Sequence, residues 1–135
     1  MSPLKHIIIT TILVIILYPF FGLWSILAYL TGVLVDVDHL WEYFKHTDLK
    51  NPSTYTYKNL AHYYKTNDFD NILQIFHTVE FLLLLIILSF YYKVFIILTI
   101  SYIIHWSMDF HFQITRNFMH HRNFSILYWL FQKIS

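Results

Sequence analysis

Residues 6–40 read HIIITTILVIILYPFFGLWSILAYLTGVLVDVDHL, and the way this stretch folds decides the rest. Two apolar runs, 7–18 and 23–35, flank Pro19-Phe20-Phe21-Gly22. The second run ends abruptly in Asp36, Asp38 and His39, with Glu42 one turn on. One continuous helix over the stretch would be about 52 Å long at 1.5 Å per residue, against a hydrocarbon core of about 30 Å. Proline disfavours helix continuation and glycine admits unusual backbone angles. The stretch is therefore read as a helical hairpin that turns near 19–22, with spans of approximately 6–19 and 21–43. The rival reading is one kinked span from about 7 to 30, followed by a loop.

Working outward, the chain has 135 residues, enough for one domain, 1–135. Hydrophobic residues make up 57% and charged residues only 13%, about half the charge of an ordinary soluble domain. So few charges cannot cover a water-facing surface, and the expected partner is the lipid bilayer. A net charge of +1 gives no basic footprint, so nucleic acid is not expected as a partner. The absence of cysteine excludes disulfides and thiolate metal sites. Lys5 precedes an apolar run without an A-x-A-like cleavage site, so this run is not read as a leader.

Residues 45–70 form the one long polar segment and are read as a juxtamembrane loop, with tyrosines suited to a membrane–water interface. Residues 71–92 hold the most apolar run, EFLLLLIILSF, and 94–115 return across the bilayer. Residues 123–134 are too short to span and rich in aromatics, and are read as an interfacial helix. The expected fold is thus all-α: an integral membrane four-helix bundle with a juxtamembrane loop and a C-terminal interfacial helix.

This topology places His6, the 36–42 cluster, His77 with Glu80, and His105 with Asp109 at one membrane face. Eight of the nine basic residues fall on that same side, Lys93 being the exception. Lysine and arginine bias places that face in the cytoplasm, predicting a multi-pass protein of the cell's inner or plasma membrane whose polar site faces the cytoplasm.

Ionisable groups in an apolar segment are costly unless they pair or bind something. His105 and Asp109 are four apart and His77 and Glu80 three apart, so each pair shares a helix face. Asp36 shares a face with His39, and Asp38 with Glu42, but the two pairs point in different directions. One aspartate is therefore expected to support a ligand rather than be one, unless the helix is irregular there. His, Asp and Glu without cysteine suit Zn²⁺, with Mn²⁺ or Fe²⁺ as alternatives. The candidate metal ligands are His6, Asp36, His39, His77, His105 and Asp109, and the candidate proton acceptors are Asp38 and Glu80. The remaining histidines, His46, His62, His111, His120 and His121, sit in loops or flanks.

At these residues the sequence resembles the membrane-bound metal-dependent hydrolase family, inner-membrane proteins that include a LexA-binding member. The resemblance rests on His6 opening the first apolar run, on Gly32 with Asp36-Val37-Asp38-His39, on His77-Thr78, and on His105-Trp106-Ser107-Met108-Asp109. It covers roughly 6–40 and 72–112. The chain departs from the family pattern at Val35, where proline is usual, and at Asn71-Ile72-Leu73, where a His-Arg pair is usual. The resemblance implies hydrolysis of a lipid-linked or membrane-adjacent ester or phosphoester by metal-activated water, with a lipid-like substrate. The alternative is a non-catalytic integral membrane protein with a structural metal or polar site. Homo-oligomer formation is open on either reading, and a metal or proton transporter is disfavoured because the ionisable groups cluster at one face.

Overall fold

The computed structural model describes residues 3–39, 72–116 and 122–134; the expected loop at 45–70, with Glu42, His46, His62, His120 and His121, lies outside them. The described chain is helical except for one short parallel pairing. Helix α1 spans Pro3–Phe21 and carries Pro19 inside its last turn. At Gly22 the backbone takes φ +58°, a left-handed conformation that glycine adopts without steric cost. The chain then folds back as a 3-10 segment, Gly22–Leu27, the short helix α2, Ala28–Gly32, and a 3-10 turn, Leu34–Asp36.

The hairpin is closed by side-chain contacts between its two arms. Thr11 Oγ1 lies 2.6 Å from the Tyr29 hydroxyl, and His6 Nε2 lies 3.8 Å from Asp36 Oδ2. In one straight helix the last two residues would be about 45 Å apart. The return arm is not the regular helix expected for 21–43, because small residues let it pack close to its neighbours. Ser25, Ala28, Thr31 and Gly32 are buried along it. Ser25 Oγ donates to Gly22 O, Thr31 Oγ1 to Leu98 O, and Ser101 Oγ to Ala28 O.

The third apolar region also differs from expectation. Helix α3 covers only Val79–Tyr91, about 20 Å, not the whole of 71–92. Its start is set by Thr78, whose extended backbone and side chain cap the helix by accepting from Phe81 N. Residues ahead of that cap are used otherwise: strand β1, Ile72–Leu73, pairs in parallel with β2, Arg122–Asn123, and Ile75–His77 forms a 3-10 turn. After extended Tyr92 the chain enters helix α4, Lys93–Arg116. Helix α4 lies against both α2 and α3. Helix α5, Ile126–Ile134, follows β2 and buries none of its residues.

The side-chain pattern is inside-out. On α1 the buried residues are His6, Thr10, Leu13 and Leu17, while Ile8, Ile12, Ile15 and Phe20 face outward. On the return arm the small residues are inside and Leu23, Trp24 and Ile26 outside. Two stretches, Pro3–His39, folded on itself, and Lys93–Thr115, are long and apolar enough to cross a membrane.

Candidate metal centre

Four parts of the chain deliver polar groups to one place: the start of α1 (His6), the end of the return arm (Asp36, Asp38, His39), the turn before α3 (His77), and the second half of α4 (His105, Asp109). His6, His77, His105 and Asp109 are buried to within 2% of full burial. Asp36, at 25%, and His39, at 21%, form the side that reaches solvent.

The centre is a converging set of imidazole Nε2 atoms and carboxylate oxygens. Asp36 Oδ1 lies 3.5, 3.4 and 3.3 Å from Nε2 of His39, His77 and His105. Asp109 Oδ2 lies 3.9, 3.6 and 3.7 Å from the same three atoms. His6 Nε2 lies 3.1 Å from Asp109 Oδ1, and its ring stacks on His105 at 4.2 Å. Two overlapping groups result, His6, Asp36, His105 and Asp109, and Asp36, His39, His77 and Asp109, each with its ligand atoms mutually within 4.8 Å.

Outer partners assign the protons. His77 Nδ1 donates to Asp38 Oδ2 at 2.9 Å, and Phe76 N donates to the same oxygen. His105 Nδ1 donates to the Gly32 carbonyl at 3.0 Å. Both acceptors lack hydrogens, so each neutral ring carries its proton on Nδ1 and turns a lone pair inward at Nε2. Those two Nε2 atoms face each other at 3.1 Å. Two lone pairs at that distance repel unless a cation or a proton lies between them. Ligands at right angles on an ion with metal–nitrogen bonds of about 2.1 Å are about 3.0 Å apart. Asp36 Oδ1 is buried and has no hydrogen-bond partner among the described residues, although three ring nitrogens surround it. A buried carboxylate oxygen among lone pairs fits a cation, and the donor set fits zinc, manganese or iron. The described residues thus include a His/Asp group able to hold a metal ion.

Gln74 completes the outer frame and is not singled out by sequence reasoning. Its amide nitrogen lies 2.6 Å from His39 Nδ1, while its Oε1 is buried without a partner among the described residues. A half-turn of the amide has Oε1 accept the His39 Nδ1 proton. His39 then presents Nε2 inward, as His77 and His105 do. The available signal is a glutamine in the otherwise apolar run 72–76, three residues before His77. Such outer partners orient metal-binding imidazoles.

Two expectations about proton acceptors meet different partners. Asp38 takes the outer position anticipated for one of the two aspartates, holding His77. Glu80 does not share a face with His77, because the extended Thr78 separates them. Glu80 Oε1 accepts from Ser125 Oγ at 2.6 Å and from Leu127 N, and Oε2 accepts from Ile126 N. It therefore satisfies the free N–H groups at the start of α5, and it belongs to neither group of candidate ligands. His111 is exposed on α4 and belongs to neither group.

No protein-family model, curated protein or solved structure matches the chain.

Proposed function

We propose that this chain is a membrane-embedded, metal-dependent hydrolase of a lipid-linked or membrane-adjacent phosphoester or ester, with its site at the cytoplasmic face. The observation that carries the reading is the convergence of four imidazole Nε2 atoms and two carboxylates inside an apolar-coated helical shell. Large exposed apolar surfaces mark membrane or partner contact, and here they surround α1, the return arm and α4. The resemblance to membrane-bound metal-dependent hydrolases points the same way, and zinc is the first candidate ion. Basic residues on the site's side of the membrane favour the cytoplasm.

His39, His77 and His105 would hold the ion through Nε2, with Asp36 and Asp109 supplying oxygens. When bound, a divalent ion supplies Lewis acidity and makes water a nucleophile at neutral pH. The chain's own contribution is orientation and exclusion. Asp38, Gln74 and the Gly32 carbonyl fix the three imidazoles in one tautomer. His6, Thr10 and Ser101 close the inner side. Asp36 and His39 leave the outer side open, so a headgroup approaches there. The test is hydrolysis of phospholipid and carboxylic-ester substrates in mixed micelles, by the metal-loaded protein, the chelated protein and Asp109→Ala. Turnover that requires metal and disappears in the variant supports the proposal; turnover unaffected by chelation contradicts it.

The second reading, a metal that only fastens the helices together, is favoured by the near-complete burial of His6, His77, His105 and Asp109. It predicts metal-dependent stability with no hydrolysis of any ester.

A further inference from the structure

Both groups of candidate ligands contain Asp36 and Asp109, and the Nε2 atoms of His77 and His105, 3.1 Å apart, each lie within 3.7 Å of both carboxylates. We infer that the centre holds two divalent cations bridged by these carboxylates, with His39, His77 and His105 on one cation and His6 on the other. The inference rests on the metal-dependent reading above and deepens it.

The division is written in the carboxylates. Asp109 turns Oδ1 to His6, at 3.1 Å, and Oδ2 to His39, His77 and His105 at 3.6–3.9 Å. Asp36 turns Oδ2 to His6, at 3.8 Å, and Oδ1 to the other three at 3.3–3.5 Å. Each aspartate thus presents one oxygen to each side, the arrangement by which carboxylates link two ions about 3.5–4 Å apart. His6 shares no group with His39 or His77. Two ligands on one ion with bonds of about 2.1 Å are at most about 4.2 Å apart. His105 belongs with His39 and His77, its Nε2 facing His77 Nε2 at 3.1 Å, and its ring stacks on His6 at 4.2 Å. Asp36 Oδ1, without a hydrogen-bond partner among the described residues, is placed as a bridging oxygen would be.

The charge balance has a consequence for substrate class. Two divalent cations outweigh the three aspartates that the described residues place at the site, Asp36, Asp38 and Asp109. The loaded centre is then net positive, surrounded by apolar surface, and selects an anionic phosphoester over a neutral carboxylic ester.

The test is metal stoichiometry of the detergent-purified full chain reconstituted with Mn²⁺, measured by elemental analysis and electron paramagnetic resonance. The wild type is expected to hold two ions with an exchange-coupled spectrum. His6→Gln, which keeps much of the ring's volume, is expected to hold one ion with an isolated-ion spectrum and unchanged helical circular dichroism. One ion in the wild type with an isolated-ion spectrum overturns the two-cation centre but leaves the metal reading standing. No ion in folded wild type overturns both. If His6→Gln does not fold, the wild-type count and spectrum decide alone.

Discussion

Replacing Gly32 by alanine tests the hairpin and the site together, because the two ways of folding residues 6–40 predict opposite signs. In the folded-back arm, a Cβ at Gly32 would lie 2.6 Å from Ser101 Oγ on α4 and 2.9 Å from Thr10 Cγ2 on α1, and would also meet Thr10 Oγ1. Ordinary contact begins near 3.4 Å, so α1 and α4 would both have to move outward by several tenths of an ångström. Neither is free to do so: Ser101 Oγ is bonded to Ala28 O, and Thr10 is buried in the same seam. Overpacking of this kind costs about 1–3 kcal/mol. The Gly32 carbonyl also holds His105, so the same shift should weaken metal retention. In a straight helix the substitution would instead stabilise by about 0.5–1 kcal/mol, the propensity gain of alanine over glycine. The assay is reversible unfolding in mixed detergent followed by circular dichroism, with metal content measured in parallel. Destabilisation with loss of metal is expected. A variant as stable as wild type, or more so, refutes the close crossing of α1, the return arm and α4.

Three further outcomes follow from the same geometry. Asp38→Ala removes the acceptor of the His77 Nδ1 proton and should lower metal affinity about 10–100-fold, read by competition with a chelating dye; unchanged affinity would remove Asp38 from the frame. Glu80→Gln should leave metal content unchanged while speeding hydrogen exchange of the Ile126 and Leu127 amides; loss of metal instead would place Glu80 in the centre after all. Chelation should destabilise the protein by about 2.7 kcal/mol relative to metal at a hundred times its dissociation constant, read from the unfolding midpoint; an unchanged midpoint would mean that no metal is bound to the folded state.

Much of this architecture was legible in the sequence because it rests on local signals. Proline and glycine at 19–22 mark the turn, and the length of the apolar stretch excludes a straight path across a bilayer. Counting crossings then brings His6, Asp36, His77 and His105 to one end, as observed. The misread parts depend on long-range partners. The apolar run at 72–90 looks like one helix, yet Thr78 caps it late, because β1 is paired with β2 some fifty residues away. Glu80 looks like a ligand one turn from His77 until its oxygens are seen at Ser125, Ile126 and Leu127. Ser25, Ala28, Thr31 and Gly32 carry a small-residue spacing that suits close helix contact, but what they contact is set by α4. Gln74 carries no ligand signature; its role exists only because the fold places it against His39.

The account's central claim is that imidazoles from three separate parts of the chain meet on a metal. Extended X-ray absorption at the zinc edge of the detergent-purified protein tests it most directly. The account predicts nitrogen and oxygen neighbours at about 2.0–2.1 Å, with outer-shell scattering from at least two imidazole rings that is lost in the His105→Ala/Asp109→Ala variant. A spectrum of hydrated zinc without imidazole scattering, or identical spectra for wild type and variant, would contradict it.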